Sequence, residues 1–257
     1  ITGEKEKVLP LLQKEYPRDS DLGKLLLAMA RIWFKDEKVI PYLIKKLNNL
    51  QEKDTVNILE DGQRPAGGWT NKPDNYWRVN QLISLLGIAG DKRALDILNQ
   101  ITLQTDPGGT LNRHHRLHWR RIPNYDRIYA LCFAQERLAD EKSIVPLKKL
   151  LNNPELTGYV CKEELDGREN YTSAFLEIAI ARALARCGSP QGGLILADYL
   201  EDVRKVLSDH AYHELRDITG QDFRKKTGLW KEWLKKQESL SVSSFKKSSL
   251  LYSENSY

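Results

Sequence analysis

The chain of 257 residues is 29% charged and 40% apolar, a globular composition. Its longest apolar run, AFLEIAIARALA (174–185), is broken by Glu177 and Arg182 and falls short of the roughly 18 to 20 residues of a membrane span. The net charge of +5 sits in one place: between Arg224 and Lys247 eight Lys or Arg stand against two Glu, and residues 1–223 are close to neutral, so nucleic acid is a disfavoured partner.

The first element, KEKVLPLLQKEY (5–16), has apolar residues at helical spacing and a charged start. Both features return in DEKVIPYLIKKLNN (36–49), DKRALDILNQIT (91–102) and DEKSIVPLKKLLNN (140–153), with Pro10, Pro41 and Pro146 at matching places. Recurrence of this kind marks a helical array. In the later copies a helix precedes the recurring stretch, and for 5–16 that helix would lie upstream of Ile1, so the chain is expected to be a piece of a longer one. Tyr16-Pro17-Arg18-Asp19-Ser20 interrupts the pattern, and Asp19 or Ser20 is expected to cap a helix running through Phe34. The copy opening at Asp36 is expected to end near Asn48-Asn49.

A second recurring stretch precedes each later copy. Asn75-Tyr76, Asn124-Tyr125 and Asn170-Tyr171 open runs with apolar residues at helical spacing: Val79, Leu82, Ile83, Leu86; Ile128, Leu131, Cys132, Leu138; Ala174, Ile178, Ala181, Leu184. The runs stop at Gly90-Asp91, Ala139-Asp140 and Gly188-Ser189, where a Gly or small residue ends one helix and Asp or Ser caps the next. The repeating unit is therefore two helices joined by a tight turn, and neither helix can bury its apolar stripe without neighbours.

Between units lie three long inserts, 50–76, 103–125 and 152–171, at the same place in each repeat. Insertions at one edge of stacked pairs project from one side, which is often the binding side. The outer two carry five acids each against three and two bases, while the middle one carries Asp106 against Arg113, Arg116, Arg120 and Arg121. The Arg-rich insert is expected to pair with its acidic neighbours. Binding residues assigned to this edge are Trp69, Arg113, His114, Arg116, His118, Trp119, Arg120 and Arg121. Guanidinium groups make bidentate contacts with carboxylates and phosphates, and Trp69 and Trp119 could stack on sugar rings, so an anionic ligand or a polysaccharide is admitted beside a protein partner.

After the last unit, SPQGGLILADYLED (189–202) takes the second-helix place with a weaker match, and a helix is expected over 203–218. LRDITGQDF and LWKEWLKK (215–236) close the array, with Leu229, Trp230, Trp233 and Leu234 as the apolar face and Lys231, Lys235 and Lys236 outside. One domain is expected over 4–236, followed by a Ser/Lys-rich tail, 237–257.

Signatures of chemistry are missing. No G-x-G-x-x-G, G-x-S-x-G, Walker, H-E-x-x-H or C-x-x-C motif occurs, and no cofactor is expected. His114 and His118 at i, i+4 could ligate zinc on a helix, but four arginines around them repel a dication, so no metal is expected either. Cys132 and Cys187 read as small core residues, and His210 and His213 as partly buried structural histidines.

Over residues 4–236 these repeats resemble HEAT-repeat proteins, including bacterial HEAT-like families. The resemblance implies an all-α fold, an α-solenoid of about four to five stacked helix pairs with long inter-repeat inserts. The ending, an ITG-x-x-F turn followed by W-x-x-W, resembles the close of HEAT-like modules on secreted or periplasmic bacterial proteins. One such group is similar to FAD-dependent oxidoreductases of the xanthan-lyase-like type. No flavin fingerprint is present, so no cofactor-binding residue carries over. The expected function is a non-catalytic scaffold docking a protein or adjacent domain along the insert edge. The alternatives are the helical region of a larger oxidoreductase or polysaccharide-processing enzyme, and a polyanion or nucleic-acid binder.

Overall fold

A computed structural model describes residues 7, 10–11, 21–60, 75–105, 123–163 and 171–240. Within them the protein is all-helical: α1 Asp21–Trp33, α2 Val39–Glu60, α3 Asn75–Ala89, α4 Leu95–Gln104, α5 Pro123–Leu138, α6 Ile144–Leu151, α7 Tyr171–Arg186, α8 Pro190–Asp198, α9 Lys205–Thr219 and α10 Thr227–Lys235. No strand occurs among the described residues. No helix among them is long and apolar enough to cross a membrane.

Successive odd-numbered helices, α1, α3, α5, α7 and α9, pack side by side, and each even-numbered helix from α2 to α8 packs against the odd one that follows it. The buried apolar residues fall into three clusters. Helix α5 shows how: Leu131, Ala134 and Leu138 join the cluster shared with α3, while Ile128 and Cys132 join the one shared with α7. Helix α7 is buried nearly all round, not along the stripe its spacing suggests. Its alanines at 174, 179, 181, 183 and 185 leave room for neighbours on every side.

The tight turns repeat one device. Lys35, Gly90, Ala139 and Gly188, each just beyond an odd-numbered helix, have φ of 55°, 65°, 45° and 100°. A left-handed residue at this point reverses the chain and satisfies the last helical carbonyls; Asp36 N donates to Arg31 O at 2.9 Å and Ser189 N to Leu184 O at 3.0 Å. The next residue is Asp in three of the four turns, and its carboxylate accepts the backbone N–H two residues on: Asp36 from Lys38 at 3.1 Å, Asp91 from Arg93 at 2.9 Å, Asp140 from Lys142 at 3.1 Å. The same bond closes Asp202 on Arg204 and Asp222 on Arg224, each at 2.9 Å. Pro41 and Pro146 each occupy the third helical position of α2 and α6, where a missing N–H leaves no bond unmade.

Several expectations are corrected. Helix α2 runs to Glu60 rather than stopping near Asn49, so much of the first insert is helical. Leu229 is 45% exposed; Trp230 and Leu234, one turn apart, carry the inward face of α10 and Trp233 only borders it. Packing continues beyond position 236, since Leu240 is buried and its N–H donates to Gly188 O at 2.9 Å. His213 is exposed, and only His210 is half-buried.

Candidate functional site

Residues in and beside successive tight turns are bonded to each other. Arg93 Nη2 donates to Glu37 O at 3.3 Å, Lys92 Nζ to Asp140 Oδ2 at 2.9 Å, and Asn99 Nδ2 to Lys142 O at 3.3 Å. Lys92 holds the Asp140 carboxyl below the usual carboxylate range. Other bonds join helix to helix: Arg127 Nε donates to Asn80 Oδ1 at 2.6 Å beside the start of α5, and Lys149 Nζ to Leu103 O at 3.0 Å between the ends of α4 and α6. Thr102, Thr105, Lys149 and Asn152 line an open cavity of about 350 Å³ there.

Trp69, Arg113, His114, Arg116, His118, Trp119, Arg120 and Arg121 all lie outside the described residues, as does the expected pairing of the Arg-rich insert. The first half of the third insert is described, and it folds back onto the helices. Leu156 is fully buried. Glu177, on α7, accepts Gly158 N and Tyr159 N at 3.0 Å each and Tyr199 Oη at 2.6 Å. Asp202 accepts Cys161 N at 3.0 Å, and the paired Arg204 donates to Tyr159 O at 2.5 Å. Burial would raise the Asp202 carboxyl, but Arg204 and the two backbone N–H groups hold it below its usual range. Burial pushes the Tyr199 phenol well above its usual value, with Glu177 adding to the effect, so it remains a donor.

Among the described residues, a buried group of ionisable side chains joins α5, α7 and α9. Arg182 donates to Glu136 through Nε at 2.5 Å and Nη2 at 3.2 Å, and through Nη1 to Glu214 at 3.5 Å. Arg186 Nη2 donates to the other oxygen of Glu214 at 3.0 Å, and His210 Nε2 stands 3.9 Å from Glu214. Burial raises Glu136, partly offset by Arg182. For Glu214 burial acts the same way, but Arg182 and Arg186 together outweigh it and hold the carboxyl below its ordinary value. Burial alone would weaken Arg182 as a cation; Glu136 and Glu214 reverse that and raise it further.

This group was not foreseen in the sequence, although a signal was present. Charges inside a helix that is apolar all round cannot reach water and must find partners. Glu177, Arg182 and Arg186 are such charges, and all three are buried.

Chemically the group is closed. Both carboxylates receive guanidinium hydrogens, and Glu136 and Arg182 are 4% and 8% exposed at the side chain, leaving His210 the most accessible member at 35%. Cys132 and Cys187 are no nucleophiles: burial raises both thiols, Cys187 to about 12, so each stays protonated. Among the described residues no group of three or more His, Cys, Asp or Glu could hold a metal ion. Comparisons of the chain with protein-family profiles, with curated proteins and with solved structures find no match.

Proposed function

We propose that the chain is a HEAT-like α-solenoid of about four to five stacked helix pairs, serving as a non-catalytic scaffold. It docks a protein or adjacent domain along the edge that carries its long connectors. The observation that supports this reading most directly is the bonded ladder of tight turns, Glu37 to Arg93 and Lys92 to Asp140. On this reading the short turns close one edge and leave the other to the connectors, where loops are free to diversify and bind. The pairing of Glu136 and Glu214 with Arg182 and Arg186 supports the non-catalytic part, since a catalytic acid or base must offer its proton to a substrate.

Site-specific photocrosslinking in the source cells tests it. A crosslinking amino acid at Trp69, Trp119 or the exposed Lys162 should give one recurring adduct, either with another polypeptide or with a flanking domain of the same chain. The same residue at Val145, on the first turn of α6 and 71% exposed, should give none. Equal adducts from both edges, or none from the connector edge, overturn the reading.

A further inference from the structure

We propose that the outer flank of α1, marked by Met29 and Trp33, is a docking face for an acidic amphipathic helix of a partner protein. This face is independent of where the connectors dock. In α1, Ala28 and Ile32 are buried in the apolar cluster shared with α2 and α3. Met29 and Trp33 each follow one of them, which sets them about 100° further round the helix. They are 42% and 81% exposed and stand one turn apart, at i and i+4. An indole this open adds little to the fold, and tryptophan is a frequent anchor where two proteins meet.

The packing of the odd-numbered helices indicates what shape of partner fits. Helices α3, α5 and α7 each lie between two such helices, whereas α1 packs on α3 and leaves the Met29–Trp33 flank to solvent. A further helix laid along that flank repeats a contact the fold makes from α1 through α9. Beyond its first turn the last odd-numbered helix, α9, exposes His213, Arg216 and Asp217 instead, a polar finish. Charge then selects among helices. The exposed charges of residues 24–50 are Lys24, Lys35, Lys38 and Lys45 against Glu37, while Arg31 and Asp36 pair with each other at 2.7 Å. A second copy of the chain would bring the same lysines together, which like charge disfavours. A helix with Glu or Asp beside its apolar stripe meets them with opposite sign.

Fluorescence anisotropy with the full chain tests this. The probe is a labelled, lactam-bridged helical peptide with Leu along one stripe and Glu on its flanks, and a twin carries Lys for each Glu. At low salt the Glu peptide should bind at least about 10-fold more tightly than its twin, and the gap should narrow as salt screens the lysines. Trp33→Ala should weaken the Glu peptide about 30-fold. Lys35→Glu combined with Lys38→Glu should erase its advantage over the twin. Met29→Ala should also weaken binding and serves if the Trp33 variant does not fold. Three results overturn the proposal: no binding or equal binding of the two peptides, binding that neither Trp33→Ala nor Met29→Ala weakens, or a wild-type dimer in sedimentation that Trp33→Ala dissolves.

Discussion

The guanidinium of Arg182 grips the carboxylate of Glu136 at two points, Nε to Oε2 at 2.5 Å and Nη2 to Oε1 at 3.2 Å, with both side chains buried. Its remaining nitrogen reaches Glu214, so one residue of α7 ties the helices on both its sides. Removing one member of such a pair leaves a buried charge alone, which costs about 3 to 5 kcal/mol. Arg182→Met should lower the unfolding free energy in urea by about that amount. Adding Glu136→Gln and Glu214→Gln should recover part of the loss, because the stranded carboxylates go with the cation.

Gly192 and Gly193 are adjacent in α8 but predict different outcomes. A Cβ at Gly192 would lie 2.5 Å from Ala185 N and closer still to Ala181 O, both backbone atoms of α7 that cannot step aside. At Gly193 it would meet only the methyl ends of Leu234, at 2.7 and 3.3 Å. Gly192→Ala should cost about 3 kcal/mol or more and Gly193→Ala about 1 kcal/mol, read as thermal midpoints by circular dichroism.

Equivalent turns carry Gly90 at φ 65° and Ala139 at φ 45°. Left-handed backbone costs an alanine about 1 to 2 kcal/mol, against a loss of about 0.4 to 1 kcal/mol for the greater freedom of unfolded glycine. Ala139→Gly should therefore stabilise by about 0.5 kcal/mol. Gly90→Ala, with nothing within 4 Å of the new methyl, should destabilise by about 0.5 kcal/mol, the backbone strain exceeding the entropy gained. Paired denaturation curves check both signs.

Tyr199 and Glu177 clamp the described half of the third connector. A hydrogen bond to a charged group is worth about 1.5 to 3 kcal/mol, so Tyr199→Phe should cost about that much. Glu177→Gln weakens all three bonds. Amide exchange at Gly158, Tyr159 and Cys161 should rise more than at α5, and a uniform rise would show that the clamp holds the whole fold rather than this segment.

The recurring D-x-x motifs, the stop at Gly90 and Gly188, and the spacing of Val79, Leu82, Ile83 and Leu86 made the helix pairs legible, because capping and apolar periodicity are local properties. The left-handed Lys35 and Ala139 could not be read the same way, since neither residue prefers that conformation and each is held there by its turn. The extent of α2 to Glu60 was hidden for a related reason: over 51–60 only Val56, Ile58 and Leu59 are apolar, too few to mark a helical stripe.

What the chain determined unaided is the alternation of helices and tight turns, written in residues at most four apart. Only the tertiary structure decided which charges share a carboxylate. Glu136, Arg182 and Glu214 are separated by 46 and 32 positions, and no local pattern selects one partner over another until α5, α7 and α9 lie side by side. Burial then makes the pairing obligatory, since water is no longer there to solvate the ions.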